Sequence, residues 1–405
     1  MLENNIIMIL NKEIKSINIC NIYILLWVLY MFHWNNTELP AIAGFSNIFL
    51  GVNLLISIYC AVRLSTTGYE SNYFKASNML LLIFLLYGGY SIMFGHTHVI
   101  KFTGDVVKNG TYLIAVLRSF LPVYTIYYFT KKGYMTLNVL KVWSLILLFV
   151  AVIIYYYSYN LHTLISDREE FTNNTSYVLL TLFPFVFLFD KKVLIQYVYV
   201  AIISIFVLAA LKRGAIFIAV ILLIYFFRVR FKNATSSQRY LFYAASIAFV
   251  IIGYRYLNTF MANSDLFQTR LQATLEGNSS GRDSIIQNLM HYFWNDAGAL
   301  GILFGSGADS TLDIGENYAH NDWIEILINQ GILGFIIYFY YWKNYFKVWQ
   351  KSKHNTIVYE VIGANFVLYF AKGFFSMSYS MLPLAFALTM GYSLAKLNDY
   401  ESELN

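Results

Sequence analysis

The residues best suited to chemistry in this chain lie between Glu316 and Glu325, where a polar loop runs directly into an apolar helix. His320 stands in this segment, and an imidazole with an ordinary pKa of about 6.5 can accept a proton from a hydroxyl near neutral pH. The acids Glu316, Asp322 and Glu325 are close enough in sequence to orient it, and Asn321 can cap the helix. The segment predicts a general base, with a purely structural histidine as the alternative.

Three cations could bind an anion near such a base. Arg282 stands at a predicted helix start, where free backbone N–H groups and the helix dipole favour an anion. Lys212 and Arg213 share a short turn between apolar segments, where adjacent cations are costly unless they meet headgroups or an anionic ligand. The alternatives are a solvated Arg282 paired with Asp283 or Glu276, and simple snorkelling of the other two cations to the interface.

Two more basic residues need partners if they lie within apolar segments. Arg118 falls near the middle of such a segment, so we expect it to meet a loop acid, a lipid phosphate or backbone carbonyls. Lys372 lies near the end of another segment and has a weaker claim for the same reason. Both are candidates for a polar site within the membrane.

Other chemistries find little support in the sequence. The acids Asp309, Asp313 and Glu316 do not fit the calcium-loop pattern, and there is neither an H-x-x-x-H pair nor a cysteine cluster. Gly305-Ser306-Gly307 is too short to indicate a nucleotide loop, and no G-x-S-x-G elbow occurs. We therefore predict no metal site and no cofactor.

The elements that must position these groups are membrane-spanning helices. The chain of 405 residues is 58% hydrophobic and only 12% charged, well below the charged share of a soluble domain. Its apolar runs have the length that an α-helix needs to cross a bilayer. The composition predicts an all-α polytopic membrane protein with about twelve transmembrane helices. The predicted spans lie near residues 17–33, 41–62, 76–94, 111–130, 137–159, 174–190, 193–211, 214–229, 239–258, 323–342, 357–375 and 380–397.

The distribution of Lys and Arg indicates the orientation. With both termini in the cytoplasm, 18 of the 28 basic residues lie in inner segments and 6 in short outer loops. Residues 1–405 then form a single transmembrane domain, and residues 259–321 form a long, structured outer loop between spans nine and ten. The net charge of +6 is spread over span ends without a concentrated patch, which argues against a nucleic-acid partner.

Two short helices are predicted inside this loop. Ser280 to Asp283 has the [ST]-x-x-[DE] form of a helix start, and the apolar residues that follow recur on one face. That face is suited to lying on the bilayer or to packing over the helix bundle. An earlier stretch from Asp265 to Leu275 carries Arg270 on one helical line.

The sequence from Tyr318 to Glu325, followed by Gly331 and Gly334, resembles the H-N-x-x-x-E-x-x-x-x-x-G-x-x-G signature of the O-antigen polymerase and ligase superfamily. The motif covers about 17 residues. The layout of the chain agrees with the resemblance, because relatives also have about twelve spans and a large outer loop before the motif. The resemblance implies a GT-C-like glycosyltransferase architecture in the bacterial inner membrane.

Carried over residue by residue, the resemblance implies specific roles. His320 is the expected base for an acceptor sugar hydroxyl, and Arg213 and Arg282 are expected to bind the diphosphate of an undecaprenyl-linked donor. Arg270 is a looser match, and Lys212 stands where many relatives have serine. The other residues expected to bind substrate are Arg118, Glu316 and Asn321.

Three functions follow from these observations. The resemblance favours an O-antigen polymerase, which joins one undecaprenyl-pyrophosphate-linked oligosaccharide to another at the periplasmic face. The first alternative is an O-antigen ligase, which transfers the glycan to the lipid A core. The second is a lipid-linked glycan flippase or another transporter, although the four prolines and the outward position of the polar residues do not favour one. Besides the lipid-linked donor and acceptor and the membrane lipids, a chain-length regulator protein is a candidate partner.

Overall fold

A computed structural model of the chain describes eleven continuous ranges and a few isolated positions between residues 239 and 272. The ranges are residues 19–31, 40–67, 72–95, 97–100, 106–107, 110–165, 173–190, 192–210, 212–233, 281–376 and 383–404. Most of predicted span nine, most of the loop before residue 281 and Arg270 lie outside these described residues.

The described chain is a bundle of helices with one small hairpin. Its first half comprises α1 (Ile19–Met31), α2 (Pro40–Thr67), α3 (Asn72–Met93), β1 (His98–Val99), β2 (Val106–Val107), α4 (Thr111–Lys131), α5 (Leu137–Ile165), α6 (Thr175–Thr181), a 3-10 helix (Phe183–Phe189), α7 (Val193–Ala209) and α8 (Arg213–Asn233). The second half comprises α9 (Arg282–Asn295), α10 (Gly298–Phe304), α11 (Thr311–Ile314), α12 (Asp322–Lys351), a 3-10 helix (Ser352–His354), α13 (Thr356–Phe375) and α14 (Leu384–Leu404).

The architecture supports an all-α polytopic membrane protein. Seven of the described helices are long and apolar enough to cross a bilayer, and three shorter apolar helices accompany them. Apart from spans six and nine, each of the predicted spans overlaps one described helix, with ends that differ by up to nine residues. The count of twelve remains a prediction.

The predicted span 174–190 is not one continuous α-helix. The α-helix ends at Thr181, and the chain continues as a 3-10 helix in which Pro184 stands near the start. Proline lacks a backbone N–H and clashes with the preceding turn, so it ends an α-helix unless it lies in the first turn. All seven residues of the 3-10 helix are buried, so the irregular backbone packs inside the protein.

Helix α4 lies at the centre of the packing. It contacts α14, α2 and α3, while α12 packs along α3 and α13. Aromatic side chains fill much of this core; for example, the Trp323 ring lies 5.7 Å from Phe374 and 4.9 Å from Tyr338, centroid to centroid. These contacts fix the first turn of α12 against the end of α13.

Helix α9 begins at Arg282, where the sequence predicts a helix start. The residue before the helix is Gly281, which adopts a left-handed φ of 80° and makes no side-chain cap hydrogen bond. Leu289 and Phe293 are buried against Ala319 and Ile328. The apolar face of α9 therefore packs over the bundle, directly beneath the segment that carries His320.

A break in α12 joins this span to the loop before it. Gly331 has φ 66° and ψ −167°, which interrupts the helix. The carbonyl oxygens of Ile328 and Asn329 instead accept hydrogen bonds from the backbone N–H groups of Ser306 and Gly307, at 2.9 and 3.0 Å. Backbone groups at membrane depth must find protein partners, and the loop supplies them here.

We expect Gly331→Ala to destabilise the protein strongly. A Cβ at this position would lie 2.5 Å from the Gly305 nitrogen and the Leu303 carbonyl, and its φ is unfavourable for any residue but glycine. The matched control is Gly89→Ala, because nothing lies within 4 Å of a Cβ there. The thermal midpoint in detergent, followed by size-exclusion chromatography, should fall for Gly331→Ala only. Equal midpoints for the two variants would contradict the role given to the break.

Candidate active site

The loop that presents His320 is held in an unusual backbone conformation. His320 has a φ of 53°, in the left-handed region that few residues other than glycine adopt. The next residue, Asn321, is extended, and its side-chain oxygen accepts hydrogen bonds from the backbone N–H groups of Trp323 and Ile324 at 3.0 and 3.3 Å. Asn321 is thus the N-cap of α12, as its sequence position predicts. The cap fixes the imidazole at the point where the loop enters the span.

Glu325 supports this loop through its backbone rather than through the imidazole. Its buried carboxylate accepts a 2.8 Å hydrogen bond from the backbone N–H of Ala319, which directly precedes His320. Further hydrogen bonds come from the Thr311 hydroxyl and, at 3.2 Å, from the Asn329 amide. The sequence suggested that Glu325 could orient the imidazole directly. In the structure, Glu325 instead accepts a hydrogen bond from the backbone N–H of the residue before His320.

The cations predicted from the sequence converge at one place. The Arg282 guanidinium donates a 2.9 Å hydrogen bond to the Phe375 carbonyl oxygen at the end of α13. Gly214, in the first turn of α8, lies against the same residues, because a Cβ there would be 2.6 Å from the Tyr177 hydroxyl and 3.4 Å from the Phe375 side chain. The turn that contains Lys212 and Arg213 therefore lies near the starts of α6 and α9 and the end of α13.

His320 is part of the same electrostatic environment. Burial, followed by the positive charges of Arg282 and Lys212, lowers the pKa of His320 from 6.5 to about 4. Both effects disfavour the imidazolium ion, since burial removes its hydration and the two cations repel it. The imidazole is consequently neutral at physiological pH and free to accept a proton. Arg282 and Lys212, both selected from the sequence, thus lie within electrostatic range of His320.

Lys372 is a cation of this site that the sequence analysis ranked low. The residue is only 6% exposed, and its ammonium group lies 5.8 Å from the centre of the Tyr177 ring. It also interacts electrostatically with Asp322, which is fully buried and accepts a 3.0 Å hydrogen bond from the Tyr338 hydroxyl. The Asp322 side chain also packs closely against position 373, where a Cβ would lie 3.2 Å from its carboxylate oxygen. Lys372 lies close to α6 only in the folded protein, and the spacing of residues in the sequence does not reveal this contact.

The other predicted site residues take different places. The Arg118 guanidinium donates a 2.9 Å hydrogen bond to the Tyr30 hydroxyl on α1, a partner that the sequence did not suggest. Glu316 is exposed in the loop and has a left-handed φ of 63°. Arg270 lies outside the described residues. These three keep the status of predictions.

A second polar cluster, which the sequence analysis did not find, braces the loop from the side of the β-hairpin. His98 Nδ1 and Asp313 Oδ2 are 2.8 Å apart, although 215 positions separate the two residues in sequence. Asp309 is buried nearby, and burial raises its pKa to about 6. Within the part of the chain that the structure describes, no three His, Cys, Asp or Glu side chains are placed to hold a metal ion.

Comparison with known proteins supports the resemblance seen in the sequence. Residues 198–339 match the family model described as O-antigen ligase. This range contains Lys212, Arg213, Arg282 and His320, together with the glycine at the break in α12. No curated protein matches the chain. The family match supports membership of the O-antigen polymerase and ligase superfamily without separating its two branches.

We expect the pKa of His320 to rise when a neighbouring cation is removed. In Arg282→Gln the imidazolium ion loses a repulsive neighbour, so the pKa should move upward from about 4. Histidine-selective NMR titration would measure it, with the His320 signal assigned by its loss in His320→Gln. The matched control is Lys131→Gln, which removes a cation paired with Asp399 at 2.6 Å. An unchanged pKa in Arg282→Gln would show that the two residues do not interact.

Proposed function

We propose that this chain is an O-antigen polymerase, which joins undecaprenyl-pyrophosphate-linked oligosaccharides at the outer face of the bacterial inner membrane. The observation that carries the proposal is the loop-borne His320 in the electrostatic field of Arg282 and Lys212, with Arg282 held by its hydrogen bond to the end of α13. A base beside several cations suits a glycosyl transfer in which a diphosphate is the leaving group. The family match over residues 198–339 points to the same class of reaction.

In the proposed reaction His320 removes the proton from an acceptor sugar hydroxyl as the oxygen attacks the anomeric carbon of the donor. The new carbon–oxygen bond forms while the bond to the diphosphate breaks, and the electron pair leaves with the diphosphate. Lys212, Arg213 and Arg282 stabilise the charge that develops on this leaving group. A single displacement of this kind inverts the anomeric carbon. The proton held by His320 returns to solvent or to the departing diphosphate.

Lys372 fits the same scheme as an additional source of positive charge. It is buried beside Tyr177, which also contacts the turn of Lys212 and Arg213 through Gly214. A buried ammonium is costly to desolvate unless it has a partner. Asp322 provides such a partner, and it stands two residues after His320. The interaction of Lys372 with Asp322 would therefore fix the positions of His320 and the cations relative to each other.

O-antigen ligase activity is the second candidate, because the matching family model carries that description. Both reactions use the same lipid-linked donor, and they differ in the acceptor. In a polymerase the acceptor is a second lipid-linked oligosaccharide, whereas in a ligase it is the sugar core of lipid A. The base and the cations described above would serve either reaction. The two candidates are separated by the acceptor that is consumed.

We expect the chain to restore long glycan ladders in a strain that lacks its polymerase, and not to restore core attachment in a strain that lacks its ligase. His320→Ala and Arg282→Ala should abolish the activity, since loss of a general base typically costs about 100-fold or more in rate. Lipopolysaccharide gels measure both outcomes. Restoration only in the ligase-null strain would establish the alternative. Full activity of His320→Ala would exclude the general-base role in either case.

The matched control for this experiment is His291→Ala. This histidine also belongs to the loop, but its side chain is 72% exposed and lies 3.7 Å from the exposed Asp296. We expect its ladder to equal that of the unmodified protein. Protein levels in the membrane, compared by immunoblot, separate a loss of chemistry from a loss of folding.

The pH dependence of the reaction should differ between the free and the occupied enzyme. A base works only when neutral, so activity is present above its pKa and is lost as the pH falls through it. In the empty site this pKa is about 4, and kcat/KM should therefore fall near that pH. A bound diphosphate offsets Arg282 and Lys212, which raises the pKa of His320, so kcat should fall at a higher pH. Purified protein with a lipid-linked donor would measure both profiles, and identical acid limbs would contradict the coupling.

A further inference from the structure

A short helix beside the candidate site is exposed although it is entirely apolar. Helix α10 has the sequence Gly-Ala-Leu-Gly-Ile-Leu-Phe and contains no buried residue. Leu300 is 74% exposed, and Leu303 and Phe304 are each 49% exposed. An apolar surface of this kind marks a contact with another molecule or with a membrane. Seven residues are too few to cross a bilayer, so a membrane contact of this helix would be at the bilayer surface.

Helix α10 is attached to two candidate membrane spans. The Tyr87 hydroxyl of α3 donates a hydrogen bond to the Phe304 carbonyl oxygen. On the other side, the backbone of Leu303 packs against Gly331 of α12 so closely that a Cβ on this glycine would lie 2.5 Å away. Both spans carry exposed apolar side chains next to these attachment points. They are Leu86, Tyr90 and Met93 on α3, and Ile332, Leu333 and Ile336 on α12.

Exposed polar residues just before α10 indicate where the protein surface faces water. His291 and Asp296, near the end of α9, have side chains that are 72% and 59% exposed. Charged and polar groups of this kind belong in water, whereas the exposed apolar surface of α10 continues the lipid-facing surfaces of α3 and α12. Trp294 lies between the two polar residues and is 64% exposed, and tryptophan is enriched at membrane interfaces.

We propose that α10 is embedded in the outer leaflet of the membrane, with Leu300, Leu303 and Phe304 among the lipid acyl chains. The occupant of this surface is therefore lipid, because the surface is continuous with the sides of two spans. The helix leads directly into the turn at Gly305 to Gly307, whose backbone is bonded to α12. Embedding α10 sets the depth of the loop that ends at His320. This inference concerns the membrane contact and does not depend on the reaction proposed above.

A fluorophore attached at Leu300→Cys can locate this residue relative to the bilayer. The chain has only two cysteines, Cys20 and Cys60, which are 0% and 1% exposed and can be replaced by alanine. We expect an environment-sensitive dye at position 300, in phospholipid nanodiscs, to show blue-shifted emission. The emission should be quenched by lipids that carry a nitroxide near the headgroup, and little affected by aqueous iodide. His291→Cys is the control, and its dye should show the opposite behaviour.

Two results would overturn the proposal. Quenching by iodide to the same extent at both positions would place α10 in water. A dye at position 300 that is protected from iodide and from nitroxide lipids alike would show that protein covers the surface, as in a dimer of this chain. If Leu300→Cys does not accumulate in a folded form, the same measurement at Leu303→Cys decides between these outcomes.

Discussion

The interruption of α12 at Gly331 is the constraint on which the candidate site depends. A continuous helix would use the carbonyl oxygens of Ile328 and Asn329 internally, but the break releases them to the N–H groups of Ser306 and Gly307. An unpaired buried backbone group costs about 1–3 kcal/mol, and more where lipid excludes water. Loop and span therefore stabilise each other.

From this junction the rest of the loop is built by side chains on the first turns of α12. Asn329 accepts a 2.8 Å hydrogen bond from the Ser310 hydroxyl and donates to Glu325, whose other oxygen receives the Ala319 N–H. The spacing of these residues along a helix places them on one side, three or four positions apart. A single helical face thus holds the loop that ends in the strained backbone of His320. The strain at this residue is maintained by the surrounding hydrogen bonds.

Much of this arrangement could be predicted from the sequence, and the reasons differ for each part. The length of the apolar runs predicted the helices, because a bilayer requires spans of that length. The position of Asn321 before an apolar run identified an N-cap by a local rule. The contacts of Lys372 with Tyr177 and of His98 with Asp313 could not be found in this way, since they join distant segments through tertiary packing.

The start of α9 shows how far a local rule reaches. The pattern from Ser280 to Asp283 predicts a helix start, and α9 begins at Arg282, after a left-handed Gly281. The Arg282 guanidinium donates to the Phe375 carbonyl at the end of α13. The tertiary partner of this arginine thus lies at the end of another helix, and a local pattern carries no information about it.

The same packing explains how one group of cations could serve two purposes in the proposed reaction. In that reaction the cations would attract a diphosphate, whereas in the empty site burial and the charges of Arg282 and Lys212 lower the pKa of His320. A base with a pKa far below the working pH is almost always neutral, yet it gains little free energy from accepting a proton. An anionic donor reduces the repulsion and strengthens the base at the moment when a leaving group is present. Proton transfer and departure of the diphosphate would therefore be coupled through Arg282 and Lys212, without any movement of the loop.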